Sequence, residues 1–292
     1  MSGTAQAALL ADGRRLHLQH GPIDLIIAAD GAREEVAAAY SQAGAAFAPV
    51  LAGLVGELSL LRRPVGAEAI AVTGPVAQRM VDACRPHAAR FITPMAAVAG
   101  AVADHVLAAM LEGRSLKRAY VNNGGDIALC LAPGTFFEIG IVASLAAARI
   151  EAVATVTAGS GVRGIATSGQ GGRSLSLGIA DAVTVLARSG AEADAAATLI
   201  ANAVDVASPA IERQPADTIV EDTDLGALPV VTAVGILTPA EIEAALDAGR
   251  TVAANMRDRG LITAAYLHLR GRQRLVGAAL PVLTQGREGR AA

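Results

Sequence analysis

A short run of amides, glycines and a carboxylate interrupts an apolar part of the chain. It consists of Asn122, Asn123, Gly124, Gly125 and Asp126. Asn and Gly tolerate positive φ, so a turn of this composition can bring bare backbone N–H groups up to a ligand. The same residues also suit a plain strand-to-strand turn of the Asn-Gly type. The run predicts a turn in either case, and a ligand-binding turn if other polar residues meet it.

A second polar stretch, Thr167, Ser168 and Gly169, follows an apolar segment. Small hydroxyls and a glycine permit close approach of a phosphate or a planar ring, and a strand-end turn is the alternative. The Gly-x-Ser-x-Gly spacing of a serine nucleophile is missing around Ser168. The neighbouring Gly169-Gln-Gly-Gly-Arg173 lacks the spacing of a dinucleotide fingerprint or a P-loop. Ligand binding and a plain strand-end turn therefore both stay open for these residues, and a serine nucleophile is possible but lacks its usual motif.

A carboxylate and a hydroxyl, Asp194 and Thr198, lie four residues apart near the start of a predicted helix. Side chains at this spacing share one helix face. Completed by carbonyls, waters and substrate phosphates, the pair would hold a hard cation such as Mg²⁺. The alternative is an acid favoured by the helix dipole and a threonine bonded to its own backbone.

The elements that must position these residues are mostly hairpins. The predicted strand pairs are residues 6–10 with 14–19, 116–121 with 126–131, and 261–269 with 274–278. Turn residues such as Ala11-Asp12-Gly13 separate the members of each pair. Because helices come singly or in pairs between the hairpins, the pattern indicates an α+β fold with antiparallel or mixed sheets and packed helices.

Three helices have clear start signals. Thr93 with Pro94 opens an Ala-rich helix to about residue 112, Ser189 opens another to about 204, and Thr238 begins a capping box with Glu241. The first two carry an Ala-Asp pair, ending at Asp104 and Asp194, and each is predicted to follow a strand. This echo hints at two related, intertwined halves.

Three connecting stretches are also interpreted. Residues 89–92 are predicted to be a short strand, and residues 205–225 a polar excursion over the surface. Arg62-Arg63-Pro64 is interpreted as a solvated loop, with a phosphate contact as the alternative. Residues 1–283 are predicted to form a single domain, and residues 284–292 a disordered tail.

Composition excludes several classes of protein. The chain has 292 residues, 53% hydrophobic but only 2% aromatic, and a net charge of -3, so neither a basic surface nor base-stacking aromatics point to nucleic acid. Cys84 and Cys130 have no CxxC partner, which argues against a metal cluster or a disulfide framework. We also predict no signal peptide, no apolar run long enough to span a bilayer, and a cytoplasmic location.

Five segments together resemble the ApbE-like superfamily, whose best-known members are Mg²⁺-dependent FAD:protein FMN transferases. Val121-Asn-Asn-Gly-Gly-Asp-Ile127 resembles the V-N-x-G-G-D/N-I turn, and Ala166-Thr-Ser-Gly169 resembles the A-T-S-G strand end. Three further segments match the family. Residues Ala96, Gly100 and Asp104 match the helix segment A-I-A-K-G-Y-A-V-D, and Gly140-Ile141 matches a Gly-Ile pair. Ala182-Val-Thr-Val185, with Ala193, Asp194 and Thr198, matches S-V-T-V…A-D-x-x-x-T, and all five segments occur in the family's order.

The resemblance implies an ApbE-like fold and a crevice for a flavin and a metal. It implies Mg²⁺ at Asp194 and Thr198, and FAD or FMN as ligand or substrate at Gly100, Asp104 and the residues of the two polar stretches. The chain departs from the pattern at Ala99, where the family has Lys. It departs again at residues 170–181, where the transferases carry H-I-x-D-P-x-T-G. Asp181 and Asp126 are the candidates for the missing catalytic group.

Three functions remain open at this point. The first is an Mg²⁺-dependent enzyme that cleaves the FAD pyrophosphate or transfers FMN to an acceptor protein. The second is a non-catalytic binding protein for a flavin, a pterin or another phosphorylated ligand. The third is a structural homo-oligomer, in which the glycine turns serve packing only. A small phosphorylated, flavin-like ligand and a homo-oligomeric state are expected, without nucleic acid or membrane as partners.

Overall fold

The computed structural model describes residues 4–142, 150–172 and 174–277. Its strands are β1 (Gln6–Leu9), β2 (Leu16–His20), β3 (Ile23–Gly31), β4 (Leu116–Asn123), β5 (Asp126–Leu131), β6 (Phe136–Val142), β7 (Ile150–Thr157), β8 (Gly164–Ser168), β9 (Ala182–Ala187), β10 (Ile211–Pro215), β11 (Pro229–Val234), β12 (Ala264–Leu269) and β13 (Arg272–Val276). Its α-helices are α1 (Arg33–Phe47), α2 (Val50–Gly56), α3 (Leu58–Leu61), α4 (Pro75–Cys84), α5 (Val98–Leu111), α6 (Gly190–Ala203) and α7 (Pro239–Asp258).

One large antiparallel sheet organises the described residues. Its strand order is β1-β2-β3-β4-β5-β8-β9-β12-β13, and β6-β7 and β10-β11 form two small ribbons. Every pairing between these strands is antiparallel. The α+β fold with antiparallel sheets and packed helices, predicted from the hairpin-rich sequence, is therefore confirmed.

Two groups of four strands within the sheet have the same connectivity. In each, a hairpin is followed by helices and then by a second hairpin whose first strand pairs with the strand before the helices. The groups are β2-β3-β4-β5 and β8-β9-β12-β13, and they meet at the short pairing of β5 with β8, where Ile127 faces Ile165. This repeat agrees with two related halves. The helix directly before the second hairpin is α5 in the first group and α7 in the second, so α5 corresponds to α7 and not to α6, with which the sequence had matched it.

The main core lies between the sheet and its helices. Because side chains alternate across a strand, neighbouring residues such as Ile165 and Ala166 face opposite sides. Ala166 belongs to the helix-side core, together with residues of α5, α6 and α7. Ile165 and Tyr266 belong to a smaller apolar cluster with Val156 of β7, so the β6-β7 ribbon covers part of the other face.

Helices α5 and α6 cross in very close contact. A Cβ added at Gly100 would lie 2.2 Å from the carbonyl oxygen of Gly190, so only glycine fits there. Each helix start is also capped by an aspartate of its neighbour. Asp104 accepts hydrogen bonds from the backbone N–H groups of Gly190 (2.8 Å) and Ala191 (2.9 Å), and Asp194 accepts one from Gly100 (3.0 Å). These exchanged caps fix the two helices against each other.

Several predicted elements need correction. Residues 89–92 form no strand, so α5 does not follow one; a 3-10 turn at Pro94–Ala97 leads directly into it. Residues 205–225 were predicted to be a polar excursion over the surface; the segment contains the mostly exposed strand β10, which pairs with β11. The predicted tail at 284–292 lies outside the described residues, and the single domain over 1–283 stays a prediction.

Two helical stretches are long and apolar enough to cross a bilayer, by length and composition alone: Arg33–Gly56 and Pro94–Leu111. The expectation that no apolar run reaches that length was wrong. Half of the second stretch is buried inside the protein, because α5 is a core helix, and such helices meet the same criterion. The cytoplasmic location stays a prediction.

Candidate functional site

The turn between β4 and β5 projects the amide-rich run from the end of the sheet. Asn123 pairs with Asp126, and Gly124 (φ 65°) and Gly125 (φ 115°) occupy the two turn positions, which require positive φ. The side chain of Asn122 accepts a hydrogen bond from Gly125 N–H at 2.8 Å, which stabilises the turn from within. The side-chain amide of Asn123 donates to the carbonyl of Ala99 at 3.1 Å, which joins the turn to the start of α5.

The end of β8 lies beside this turn. The backbone N–H of Thr167 donates to the carboxylate of Asp126 at 3.2 Å, and the hydroxyls of Thr167 and Thr184 lie 2.9 Å apart. The antiparallel pairing of β5 with β8 thus brings together two polar stretches that are about forty residues apart in sequence. Each stretch is a turn or strand end, as the sequence predicts, and both open onto the same crevice; their role in ligand binding stays a prediction.

One face of α6 completes the site. Asp194, Thr198 and Asn202 lie at successive four-residue intervals, so they form a polar stripe along the helix. All three line the crevice beside Asp126. The expectation that Asp194 and Thr198 share one face is therefore confirmed, and their role as metal ligands stays a proposal.

Burial raises the pKa values of two aspartates at and beside the site. Burial, followed by the nearby negative charge of Asp126, raises the pKa of Asp194 well above its ordinary value, although the N–H groups of Gly100 and Ala99 oppose this shift. Burial likewise raises the pKa of Asp104, although the hydrogen bonds that it accepts from the N–H groups of Ala191 and Gly190 lower it. A positive charge between Asp126 and Asp194 would relieve the repulsion between them.

The crevice has two lobes. The large lobe is a cavity of about 640 Å³ and the small lobe one of about 390 Å³, and both are within the range typical of small-molecule sites. Residues that line both lobes form the junction between them: Arg62, Met95, Val98, Ala99, Asp126, Ser174, Leu175, Asp194, Thr198 and Asn202. Among the described lining residues, Arg62 carries the only positive charge.

The structure brings most of the predicted site residues to the crevice. Those that line it are Asn123, Gly124, Asp126, Thr167, Ser168, Gly169, Asp194 and Thr198. Four predicted residues do not line the crevice. Gly100 and Asp104 belong to the helix crossing, and Asn122 and Gly125 stabilise the β4–β5 turn. Asp181 does not line it either, because its carboxylate accepts a hydrogen bond from Arg270 N–H (2.6 Å) and lies 3.2 Å from His268.

Several crevice residues were not among the predicted site residues, and two of them, Asn202 and Arg62, lie at the junction of the lobes. Asn202 continues the four-residue spacing of Asp194 and Thr198, so this signal was present in the sequence. Arg62 was interpreted as part of a solvated loop, with a phosphate contact as the alternative, and it lines both lobes. Only the fold, which places the end of α3 over the crevice, could bring it there.

The described residues contain no cluster of three or more His, Cys, Asp or Glu side chains suited to a metal ion. The crevice does offer two carboxylates, Asp126 and Asp194, with the Thr198 hydroxyl. Oxygen donors of this kind suit Mg²⁺, which commonly binds through one or two carboxylates, with waters and substrate phosphates as further ligands. The donor set therefore fits a hard cation that arrives with a phosphorylated ligand.

Several curated proteins are similar to this protein over about half of its chain. UPF0280 proteins match from Methanothrix thermoacetophila (39% identical over 131 residues, 44% of this chain), Methanothermobacter thermautotrophicus (36% over 133 residues, 45%) and Archaeoglobus fulgidus (34% over 131 residues, 45%). The matched segments span about half the length of these relatives, at 52%, 50% and 51%.

Among solved structures, the flavin transferase ApbE from Vibrio cholerae superimposes over 96% of this chain and 98% of its own. The TM-score is 0.42 and the sequence identity is 12%. The two structures are too dissimilar for this superposition to show a common fold. A family model described as "AbpE bacteria" matches residues 7–275, which is most of the sequence. The chain therefore belongs to this family, and the predicted membership of the ApbE-like superfamily is confirmed.

Proposed function

We propose that the crevice binds a flavin nucleotide together with Mg²⁺, and that the protein cleaves the pyrophosphate of FAD or transfers its FMN part to an acceptor protein. The observation that carries this proposal is the meeting of Asp126, Asp194 and Thr198 at the junction of the two lobes. Family membership adds support, because the best-known members of the superfamily use FAD and Mg²⁺.

Different residues at the junction would bind the metal ion and the phosphates. Asp194 and Thr198, with Asp126 beside them, would hold the metal ion, which when bound polarises a phosphoryl oxygen. Arg62 supplies positive charge for a phosphate, and the N–H groups of the β4–β5 turn lie at the same edge of the sheet. Of the two candidates for the catalytic group, Asp126 faces the crevice and Asp181 is engaged with Arg270 and His268.

The test is a titration of the purified protein with FAD, with and without Mg²⁺, followed by analysis for AMP and FMN. We expect Mg²⁺-dependent binding and AMP release in the wild type. Asp194→Asn preserves the side-chain shape but removes the charge, so Mg²⁺-dependent turnover should fall at least tenfold. Asp258→Asn is the matched control, because that carboxylate is exposed at the end of α7. Unchanged Mg²⁺-dependent turnover in Asp194→Asn would refute the metal site.

A binding protein without turnover is the second candidate. It is favoured by residues 170–181, which carry neither His nor Pro, and by a crevice whose described lining includes no histidine or lysine. FAD, a pterin or another phosphorylated ring retained without AMP release would support this role. A protein that binds neither metal nor nucleotide would instead support a structural role, to be examined by its oligomeric state in solution.

A further inference from the structure

A positively charged cluster lies outside the crevice, where the end of α7 meets the 3-10 turn that follows α4. The turn is formed by Arg85–His87, and the backbone N–H of Arg90 donates to the carbonyl of His87 at 2.9 Å. From the end of α7, the guanidinium of Arg259 donates to the carbonyl of Pro86 at 2.9 Å. His87, Arg90 and Arg259 line neither lobe, so the cluster is separate from the crevice.

The imidazole of this cluster is buried without a partner. His87 is only 6% exposed, and its ring makes no hydrogen bond or ion pair with any residue that the structure describes. Burial, followed by the positive charges of Arg259 and Arg90, lowers the pKa of His87 to about 4, so the ring is neutral at pH 7 and still carries one N–H donor. Because buried polar groups in proteins almost always have a partner, this ring is suited to a ligand.

The two arginines beside the ring have no carboxylate partner. The acids at the ends of α4 and α7 are already taken up, in the pairs Arg85–Asp82 and Arg257–Asp258. Within the described part of the chain, Arg90 and Arg259 form no ion pair, and the bond to Pro86 occupies one of the five N–H donors of Arg259. Two uncompensated guanidinium groups therefore flank an imidazole that lacks a partner.

We propose that His87, Arg90 and Arg259 form a binding site for a phosphate dianion, either free phosphate or the phosphate of a small monoester. Guanidinium groups bind phosphate oxygens through paired N–H donors, and the imidazole N–H adds a further donor. A dianion matches the charge of the two guanidinium groups, whereas a carboxylate leaves one of them uncompensated. The inference is independent of the function proposed for the crevice.

Anion binding and protonation of His87 should favour each other. The charged groups that face the ring are Arg90 and Arg259, and both oppose its protonation. The nearest acids on the two helices packed against the turn, Asp82 of α4 and Asp258 of α7, are held by other arginines. A dianion between the guanidinium groups reverses the local charge, so it should raise the pKa of His87. By linkage, the anion then binds more tightly as the pH falls toward that raised pKa.

The first test follows the His87 imidazole by NMR while phosphate, glycerol phosphate or acetate is added at constant ionic strength. The resonance is assigned by its loss in His87→Gln. We expect a saturable shift with phosphate and none with acetate. A response to glycerol phosphate as well identifies a monoester site, and a response to phosphate alone identifies a site for the free ion. Absence of a saturable response to both phosphates, or an equal response to acetate, would overturn the proposal.

Substitution of each arginine tests the cluster directly. Arg90→Gln and Arg259→Gln should each raise the Kd for phosphate at least fivefold, and both residues are exposed, so these variants test the site even if His87→Gln folds poorly. Arg188→Gln is the matched control, because Arg188 is an exposed arginine at the start of α6. Arg62→Gln tests for phosphate in the crevice. Equal losses in all four variants would mean general electrostatic attraction and no site at His87.

Sulfate separates the protonation of the ring from that of phosphate, since it stays a dianion between pH 5 and 7. The wild type should bind sulfate at least threefold more tightly at pH 5 than at pH 7, because His87 gains a proton in the complex. The same comparison in His87→Gln should show a much smaller change. A sulfate affinity that is independent of pH in the wild type would contradict the participation of His87 and overturn the proposed site.

Discussion

Asp104 and Asp194 stand in equivalent positions on neighbouring helices, four residues after Gly100 and Gly190. Both cap the other helix, but their surroundings differ. Both oxygens of Asp104 accept backbone N–H groups of α6, and Asp104 lines neither lobe. Asp194 lines both lobes and faces the charge of Asp126. The geometry therefore favours a structural role for Asp104, which the sequence had placed among the ligand-binding candidates.

His87 gives a prediction about the pH dependence of stability. Burial, followed by the positive charges of Arg259 and Arg90, lowers the pKa of His87 to about 4 from an ordinary value of 6.5. The unfolded chain therefore binds a proton between these values that the folded protein does not, so stability falls as the pH falls from about 6.5 to about 4. A shift of this size corresponds to about 3 kcal/mol across that window.

The measurement is the free energy of unfolding by urea at a series of pH values. His87→Gln should give a shallower slope between pH 4 and 6.5 than the wild type, whatever its absolute stability, because it cannot titrate. His17→Gln is the control, since His17 lies on β2 beside the exposed carboxylate of Asp24. Parallel curves for wild type and His87→Gln would contradict the prediction.

At the scale of elements, the crossing of α5 and α6 depends on a missing side chain. A Cβ at Gly100 would lie 2.2 Å from the oxygen and 2.3 Å from the carbon of the Gly190 carbonyl, and backbone atoms can yield only if the helices move apart. We expect Gly100→Ala to destabilise the protein by about 3 kcal/mol or more, at the upper end of overpacking effects.

A second glycine serves as the control for this prediction. Gly44 lies inside α1, and a Cβ there would meet nothing within 4 Å. Gly44→Ala should therefore stabilise the protein by about 0.5–1 kcal/mol, through helix propensity alone. Chemical denaturation of both variants measures the change in the free energy of unfolding, which should be a decrease for Gly100→Ala and an increase for Gly44→Ala. Equal effects would mean that the close crossing does not determine stability.

The elements that sequence reasoning found are those with local signals. Ala11-Asp12-Gly13 marks the turn of the first hairpin, and the capping box of Thr238 with Glu241 begins α7 with both reciprocal hydrogen bonds. The elements it missed depend on distant partners. β10 is polar in sequence, with Arg213 and Pro215 among its residues, and it becomes a strand only because β11 pairs with it.

The same distinction applies to the site. Asp194 and Thr198 could be assigned to one face from their spacing, because a helix fixes the relation between residues four apart. Arg62 and Asp126 come together only through tertiary structure, and no local pattern carries that information. Asp181 was considered because it stands where the family has its catalytic segment, but its carboxylate faces the turn between β12 and β13 instead.

At the scale of the whole molecule, the crevice depends on both four-strand groups at once. Asp126 comes from the first group and Thr167 from the second, and the two are joined across the short pairing of β5 with β8. Helix α5 belongs to the first group by connectivity and α6 to the second, so the crossing at Gly100 also spans them. A ligand held at the junction of the lobes would contact both halves of the chain.

This shared construction predicts that the two groups unfold together. The helix-side core is one continuous cluster that includes Leu25 of β3 and Leu267 of β12, and the exchanged caps of α5 and α6 tie the groups together again. Opening either group alone would expose apolar surface and leave buried helix ends without partners, both of which cost free energy. We therefore expect a single calorimetric transition with equal calorimetric and van't Hoff enthalpies. Gly100→Ala should move that whole transition to lower temperature, whereas two resolved transitions, with only one of them shifted, would mean that the halves fold independently.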